Sequence, residues 1–357
     1  MAVDVSMRTR LLFIVKTVAY GGLEKHLLEL VRRLDASSVH CTILCYGTDV
    51  YSRRLGDRPD IQVLTPSRGR PYNCFRSWLT FVRLKPHVIV FVKGSIDSFP
   101  LKAYVAAKLS GARKLFAIEH LIAEPVPPKE TGKRMLDYLR RVAGWRARHV
   151  VTYVWGKKLA GILLVDKTIC VSDAIRQRLV DEYGFPADKT VTILNGVDLS
   201  RFGSTNGNNR QGIAGNVNIG DHEPIIVCVS RLVPVKRVDL LLDAFSLVLK
   251  EHPSSKCLIV RSGRLEEQLR AKSIELGIAA AVRFTGFAED VRPYLEMSDI
   301  YVSASDREGL SISLIEAMAY RLPCIATNIG GHNEIVLHGH NGLLVPLNSA
   351  EELASSH

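Results

Sequence analysis

At 357 residues the chain exceeds what one hydrophobic core supports, so two domains are expected. A hydrophobic share of 47% with 23% charged residues excludes a disordered or fibrous chain. Charge is uneven: residues 1–200 carry 32 Lys and Arg against 18 Asp and Glu, net +14, and residues 201–357 carry 15 against 18, net −3; the basic half suits either an anionic partner or a solvated basic face, and both readings stay open.

Taken in chain order, short β-rich apolar runs alternate with helical periods. "RLLFIVKT" reads as a strand, and "GGLEKHLLELVRRLDA" as a helix, with apolar residues at Leu23, Leu27, Leu30, Val31 and Leu34. "CTILCYG" and "HVIVFVKG" are strands, "FPLKAYVAAKLSG" a helix, "KLFAIEH" and "KTICVS" strands, "DAIRQRLVDEYG" a helix and "KTVTILNGVD" a strand. Residues 204–222, rich in Gly and Asn with no apolar period, read as a linker between a first domain at 1–203 and a second at 223–357. In the second domain "PIIVCVS", "SKCLIVRSG", "AVRFTGF", "YVSAS" and "PCIATN" are strands. Between them lie the helices "RVDLLLDAFSLVLKEHP", "LEEQLRAKSIELG", "DVRPYLEMSDI" and "LSISLIEAMAYR". This order predicts two α/β halves, each a doubly wound parallel sheet with helices on both faces, and a cleft between them for a small molecule.

Cys170, Cys228, Cys257 and Cys324 sit in apolar runs, as buried thiols of a reducing compartment do. Cys41 and Cys45 lie on a strand with no second ligand pair nearby, so no zinc site is expected. "LLFIV" is cut short by Lys16, and no segment reaches the roughly 18 apolar residues of a membrane span. A cytoplasmic protein, peripheral at most, is expected.

Ligands of such sheets bind beyond the carboxyl ends of the strands. After the first strand, Gly21 and Gly22 open a helix whose amino end suits an anion, although a glycine pair there also serves packing. After the first strand of the second domain, Arg231 and Lys236 can grip a diphosphate, one by its planar fork and one as a point charge. Glu308 and Gly309 follow another strand, and Glu316 comes after seven intervening residues on a helix. A carboxylate there can accept hydrogen bonds from vicinal hydroxyls of a ribose or sugar ring. The alternative, that both acids complement the helix dipole, suits Glu308 but leaves Glu316 as a buried charge lacking a reason.

The ordered set "GGLEKHLLEL", "VSDAIRQRL", "ILNGVD", "SRLVPVKRVDLLLDAF", "VRFTGFAEDVRPYLEMSDIYVSAS", "EGLSISLIEAMAYRLPCIAT" and "GGHNEIVLHGHNGLLVP" resembles the retaining glycosyltransferases of family 4, over nearly the whole chain. The resemblance implies a GT-B fold, two Rossmann-like domains facing a cleft. It implies transfer of a sugar from a nucleotide-diphosphate donor, UDP- or GDP-linked, to a glycan or lipid-linked acceptor in surface polysaccharide or glycolipid synthesis. By the same resemblance Glu308 contacts hydroxyls of the moving sugar, Glu316 the ribose, and Arg231 with Lys236 the diphosphate. Gly22 approaches from the first domain, and the backbone of Gly309, Leu310 and Ser311 adds N–H donors. Gly263 keeps part of a glycine-rich turn, and His120 in "FAIEHLIAE" takes the place of the family histidine near the reacting centre, as an orienting group. No Asp-x-Asp occurs, so no carboxylate cradle for a divalent ion is expected and no cofactor is implied.

The chain departs from the pattern at Arg261, where a first glycine is common, leaving open a clash with the nucleotide or a third cation. It also stops at "SAEELASSH", before the closing helices the resemblance implies. Residues 129–149 carry seven Lys or Arg against two acids, interleaved with Met135, Leu136, Leu139, Val142 and Trp145. Such a helix can lie on the anionic inner face of a membrane or simply cover a core. Nucleic acid is not an expected partner, since the basic and aromatic motifs of known modules are missing. Two further readings stay open: a GT-B sugar-nucleotide epimerase, which turns over donor without acceptor, and a non-catalytic binding relative.

Overall fold

β-branched and aromatic runs too short and too uniformly apolar for surface helices become parallel strands buried on both faces. The computed structural model describes residues 8–17, 20–56, 58–66, 74–94, 101–120, 162–202 and 223–355; the segment 129–149 and the linker 204–222 lie outside them. The chain divides into two units, Met1–Leu194 and Asn195–His357.

In the first unit β1 (Thr9–Thr17) leads to α1 (Gly22–Arg32), β2 (Val39–Gly47), α2 (Ser52–Leu55) and β3 (Ile61–Leu64). Then come α3 (Cys74–Leu84), β4 (Val88–Lys93), α4 (Leu101–Leu109), β5 (Lys114–Glu119), β6 (Lys167–Cys170), α5 (Asp173–Asp181) and β7 (Thr190–Thr192). The sheet order is β3-β2-β1-β4-β5-β6-β7, all parallel, with Phe13 of β1 opposite Ile43 on one side and Val90 on the other. Leu12, Ile14, Ile89, Phe91, Leu115 and Ala117 of the strands pack against Phe81 of α3 and Tyr104 of α4.

The second unit contains β8 (Ile225–Val229), a 3₁₀ turn at Pro234–Lys236, α6 (Val238–Glu251), β9 (Lys256–Val260), α7 (Glu266–Glu275) and β10 (Val282–Gly286). α8 (Arg292–Glu296), β11 (Ile300–Ser303), α9 (Ile312–Ala319), β12 (Cys324–Thr327), α10 (Gly330–Asn333), β13 (Leu343–Val345) and α11 (Ala350–Ser355) follow. Its sheet order is β10-β9-β8-β11-β12-β13, again all parallel. One apolar cluster lies on each face of this sheet, one built around Leu242 and Phe245 of α6, the other around Leu314 and Ala317 of α9. In each unit the strand order reverses direction between its first strand and the strand returning beside it, β1 with β4 and β8 with β11. That switch point opens a crevice at the carboxyl ends.

"KTVTILNGVD" was expected as one strand, but β7 covers only Thr190–Thr192. Its neighbour β6 ends at Cys170, and after Ile193 donates to the Cys170 carbonyl at 2.9 Å the ladder has no further partner among the described residues.

Candidate functional site

At the switch point of the second unit, the segment after β8 carries both predicted cations. Arg231 is exposed, while Leu232 beside it is fully buried. Leu232 donates to the Ser262 carbonyl at 3.2 Å and accepts from the Leu265 N–H at 3.1 Å. Gly263 makes that crossing possible, because a Cβ there would lie 2.4 Å from the Leu232 carbonyl oxygen. The 3₁₀ turn then presents Lys236. Arg237, at φ +46°, binds Asp306 and Asp239, each at 3.2 Å, and the Asp306 N–H donates to the Val235 carbonyl at 2.9 Å. The loops after β8 and β11 are thereby fastened to each other.

Glu308 lies on the second of these loops. Lys236 and Ser305 both donate to its Oε1, the serine at 2.9 Å, and Oε2 takes no hydrogen bond from the described residues. Burial alone would push this carboxyl up, but the Lys236 cation, then His332 and the hydrogen bonds, hold it below the usual carboxylate range. Glu308 is therefore an anion at neutral pH with one oxygen still able to accept. Gly331, at the start of α10, backs it: a Cβ there would meet the carbonyl oxygens of Gly309 at 2.5 Å and Glu308 at 2.6 Å.

Behind Glu308 lies a buried polar chain that sequence reasoning missed. Thr327 Oγ1 donates to the Ser305 carbonyl at 2.6 Å, and His332, fully buried, places Nδ1 at 2.8 Å from the Thr327 carbonyl. A carbonyl can only accept, so Nδ1 carries the proton and Nε2 accepts from the Ser303 hydroxyl at 3.2 Å. Only the polar ends of "YVSAS" and "PCIATN" hinted at this, since hydroxyls at the close of apolar runs need partners.

Ser311 caps α9, accepting from the Leu314 N–H at 3.4 Å. The first turn of the helix leaves N–H groups without intrahelical partners beside Gly309 and Leu310. Asn195 of "ILNGVD" donates to the Leu310 carbonyl at 3.4 Å, another residue not singled out from sequence. Glu316 lies inside α9 and is 1% exposed, the buried carboxylate that the spacing implied. Arg261 is buried at φ +97°, a conformation that glycine adopts without steric cost, and its N–H donates to Gly286 at 3.0 Å. A hollow of about 660 Å³ lined by Ile300, Met318, Cys324 and Leu343 lies at the opposite, amino ends of the strands and contains none of these residues.

In the first unit Gly22 is the first residue of α1, and the Gly21 N–H before it donates to the Glu24 carboxylate at 2.9 Å. His120 follows β5, and its N–H donates to the Lys93 carbonyl at 3.0 Å. Its ring meets that of His26 edge-on at 5.2 Å, and Nε2 is buried with no partner among the described residues. Burial, with the nearby His26 adding to it, pulls the imidazole down to about 3, so the ring is neutral at physiological pH. Next to it Lys93 and Glu119 form an ion pair only 2% and 1% exposed. Burial opposes the Lys93 charge, yet the Glu119 carboxylate overrides it and holds the ammonium above its usual range.

Two parallel α/β units, the second with cations, a helix amino end and a held carboxylate at its switch point, make an arrangement chemically suited to a phosphorylated, hydroxyl-bearing ligand. The family model for Glycosyltransferase Family 4 matches residues 20–201, and that for Glycosyl transferases group 1 matches residues 209–356. An uncharacterized glycosyltransferase of Haemophilus influenzae is 38% identical, over 96% of this chain and 87% of that relative. A GDP-mannose-dependent alpha-(1-6)-phosphatidylinositol monomannoside mannosyltransferase of Mycobacterium tuberculosis is 32% identical, over 94% and 84%. Among solved structures, Anabaena HepE in complex with UDP-glucose superimposes with a TM-score of 0.75 at 20% identity, over 98% of this chain and 88% of that one. The chain belongs to the family 4 glycosyltransferases and has their GT-B fold of two Rossmann-like domains.

Proposed function

We propose that the protein is a retaining, metal-independent hexosyltransferase, peripheral to the inner face of a membrane, using a UDP- or GDP-linked sugar to extend a glycan or lipid-linked acceptor. One observation carries this reading: Glu308 is ionised, its Oε1 is occupied by Lys236 and Ser305, and Oε2 remains to accept from sugar hydroxyls. Arg231 and Lys236 hold the donor diphosphate, with Gly22, Gly263 and the N–H groups of Gly309, Leu310 and Ser311 around it, and Glu316 takes the ribose. In the reaction the bond from the sugar C1 to the phosphate oxygen breaks, its electron pair stays on the diphosphate, and the acceptor oxygen bonds C1 from the same face. The acceptor's proton passes to the departing phosphate oxygen. Cations and helix amino ends stabilise the charge growing on the diphosphate, as preorganised electrostatics require. His120, neutral, orients rather than protonates. The M. tuberculosis relative, named for GDP-mannose and a phosphatidylinositol mannoside, supports a lipid-linked acceptor, and the HepE complex supports a nucleotide sugar.

The test is a thermal-shift screen of nucleoside diphosphates, since a ligand bound by the fold raises its melting point. Transfer is then assayed in the presence of EDTA, with the anomeric configuration of the product read by NMR. An inverted product or loss of transfer in EDTA contradicts the mechanism. Donor turnover without an acceptor points instead to an epimerase, and stabilisation with no turnover to a binding protein.

A further inference from the structure

The two strands that end beside His120 close on charges instead of apolar side chains. β4 runs through Val88, Ile89, Val90, Phe91 and Val92 before Lys93, and β5 through Leu115, Phe116, Ala117 and Ile118 before Glu119. Lys93 and Glu119 stand opposite each other in the parallel ladder, so their side chains leave the same face of the sheet and meet as a buried ion pair. The Lys93 ammonium also donates to the hydroxyl of Tyr104 on α4, itself buried.

Stability is a poor reason for such a pair. Two charges lose their hydration on burial, and an apolar pair of similar volume commonly serves the fold as well or better. Glu119 Oε1 takes Lys93, but the buried Oε2 has no partner among the described residues, so the desolvation of this carboxylate is only half offset. What a charged pair adds over two apolar side chains is direction, since it sets one geometry where methylene groups would slide past one another.

That geometry is imposed where His120 leaves the sheet. The His120 N–H donates to the Lys93 carbonyl at 3.0 Å, and the Val171 N–H to the Glu119 carbonyl at 3.2 Å, so the backbones of the pair carry the strand ends as well. Successive side chains point to opposite faces. Glu119 lies toward Tyr104 of α4, whereas His120 turns its ring to His26 of α1, with Nε2 buried and unpartnered among the described residues. With that nitrogen unheld, the ring takes its orientation from its backbone and its packing.

We propose that Lys93, Glu119 and Tyr104 are positioning residues for His120: they fix the ends of β4 and β5 and thereby hold its ring in one orientation. For its purpose this rests on the role given to His120 above, but the fixing can be read without any substrate.

The experiment replaces the three by an apolar set, Lys93→Met, Glu119→Leu and Tyr104→Phe, which leaves no buried charge or hydroxyl behind. Melting points and the ring NMR signals of the full chain, labelled at histidine, are compared, those of His120 being assigned by their loss in His120→Asn. The wild type is expected to give one sharp His120 set, unmoved between about pH 8 and 6, as a ring held down to about 3 requires. In the apolar variant the melting point stays close to that of the wild type and the His120 set broadens or splits, while the signals of His332, in the other unit, stay in place. Glu119→Gln, which keeps the shape and an acceptor for Lys93, is read the same way and decides the matter where the apolar set does not fold. In both variants, release of nucleoside diphosphate from UDP-glucose or GDP-mannose is expected to fall about tenfold or more in kcat with donor KM little changed, and to fall no further when His120→Asn is already present. A sharp, unmoved His120 set in the folded variants, or losses that multiply with that of His120→Asn, would overturn the proposal. Wild-type turnover by His120→Asn, with the ring signals changed as expected, would instead remove the role given to His120 and leave its positioning standing.

Discussion

Glu308 is held by two donors on a single oxygen, and the consequences can be tested one side chain at a time. Glu308→Gln keeps the shape but not the charge, so kcat is expected to fall about 10²- to 10³-fold, the size seen when one transition-state contact is lost. Lys236→Met leaves a largely buried anion without its cation and should destabilise the fold more than Glu308→Gln does. The double variant recovers part of that loss, as denaturant melts would show. His332 touches no ligand in this account; it positions Glu308 through Thr327 and Ser305. His332→Asn should therefore lower kcat by about tenfold while donor KM changes little, and equal loss in both would contradict a positioning role.

At the scale of elements, two glycines decide how closely loops approach. Gly263→Ala must move the Leu232 backbone and with it Arg231, and Gly331→Ala must move the Glu308–Gly309 peptides. Each is expected to cost about 1–3 kcal/mol in urea melts, and Gly263→Ala should also weaken donor binding. Ordinary melts for both would show that the contacts relax freely. Most strands were legible because β4, β8 and β9 are unbroken apolar runs. β3 was not: "IQVL" sits at the sheet edge, only partly buried, with too weak a pattern to announce itself. α3 was missed for the opposite reason, since Phe75, Leu79 and Val82 place apolar residues on its outer face as well and blur the helical stripe. Lys236 and Glu308, which the structure brings together as an ion pair, stood out in the sequence because motif order carries them. Ser305 and His332 did not, because only folding brings "SAS", "CIAT" and "GGH" together.

At the scale of the whole molecule, burial depresses four histidines among the described residues, His26, His87 and His120 in the first unit and His332 in the second. Unfolded, each binds a proton near 6.5; folded, each resists it, so the unfolded state holds more protons in acid. Stability is therefore full above pH 6.5 and falls as pH drops below it, for His120 down to about 3. Each histidine contributes at most about 1.4 kcal/mol per pH unit. Melting points should be level from pH 8 to 7 and drop below pH 6, less steeply in His120→Asn, and an acid branch unchanged by that variant would contradict the burial argument. The claim on which the rest turns is that the switch point of the second unit grips a diphosphate while Glu308 reads the attached sugar. Calorimetric titration of the wild type, Arg231→Ala and Glu308→Gln with a nucleoside diphosphate and its sugar conjugate tests it. The account predicts that Arg231→Ala weakens both ligands about tenfold or more, whereas Glu308→Gln weakens the conjugate more than the bare diphosphate. Equal binding by all three proteins, or no heat with any nucleotide sugar, would contradict it.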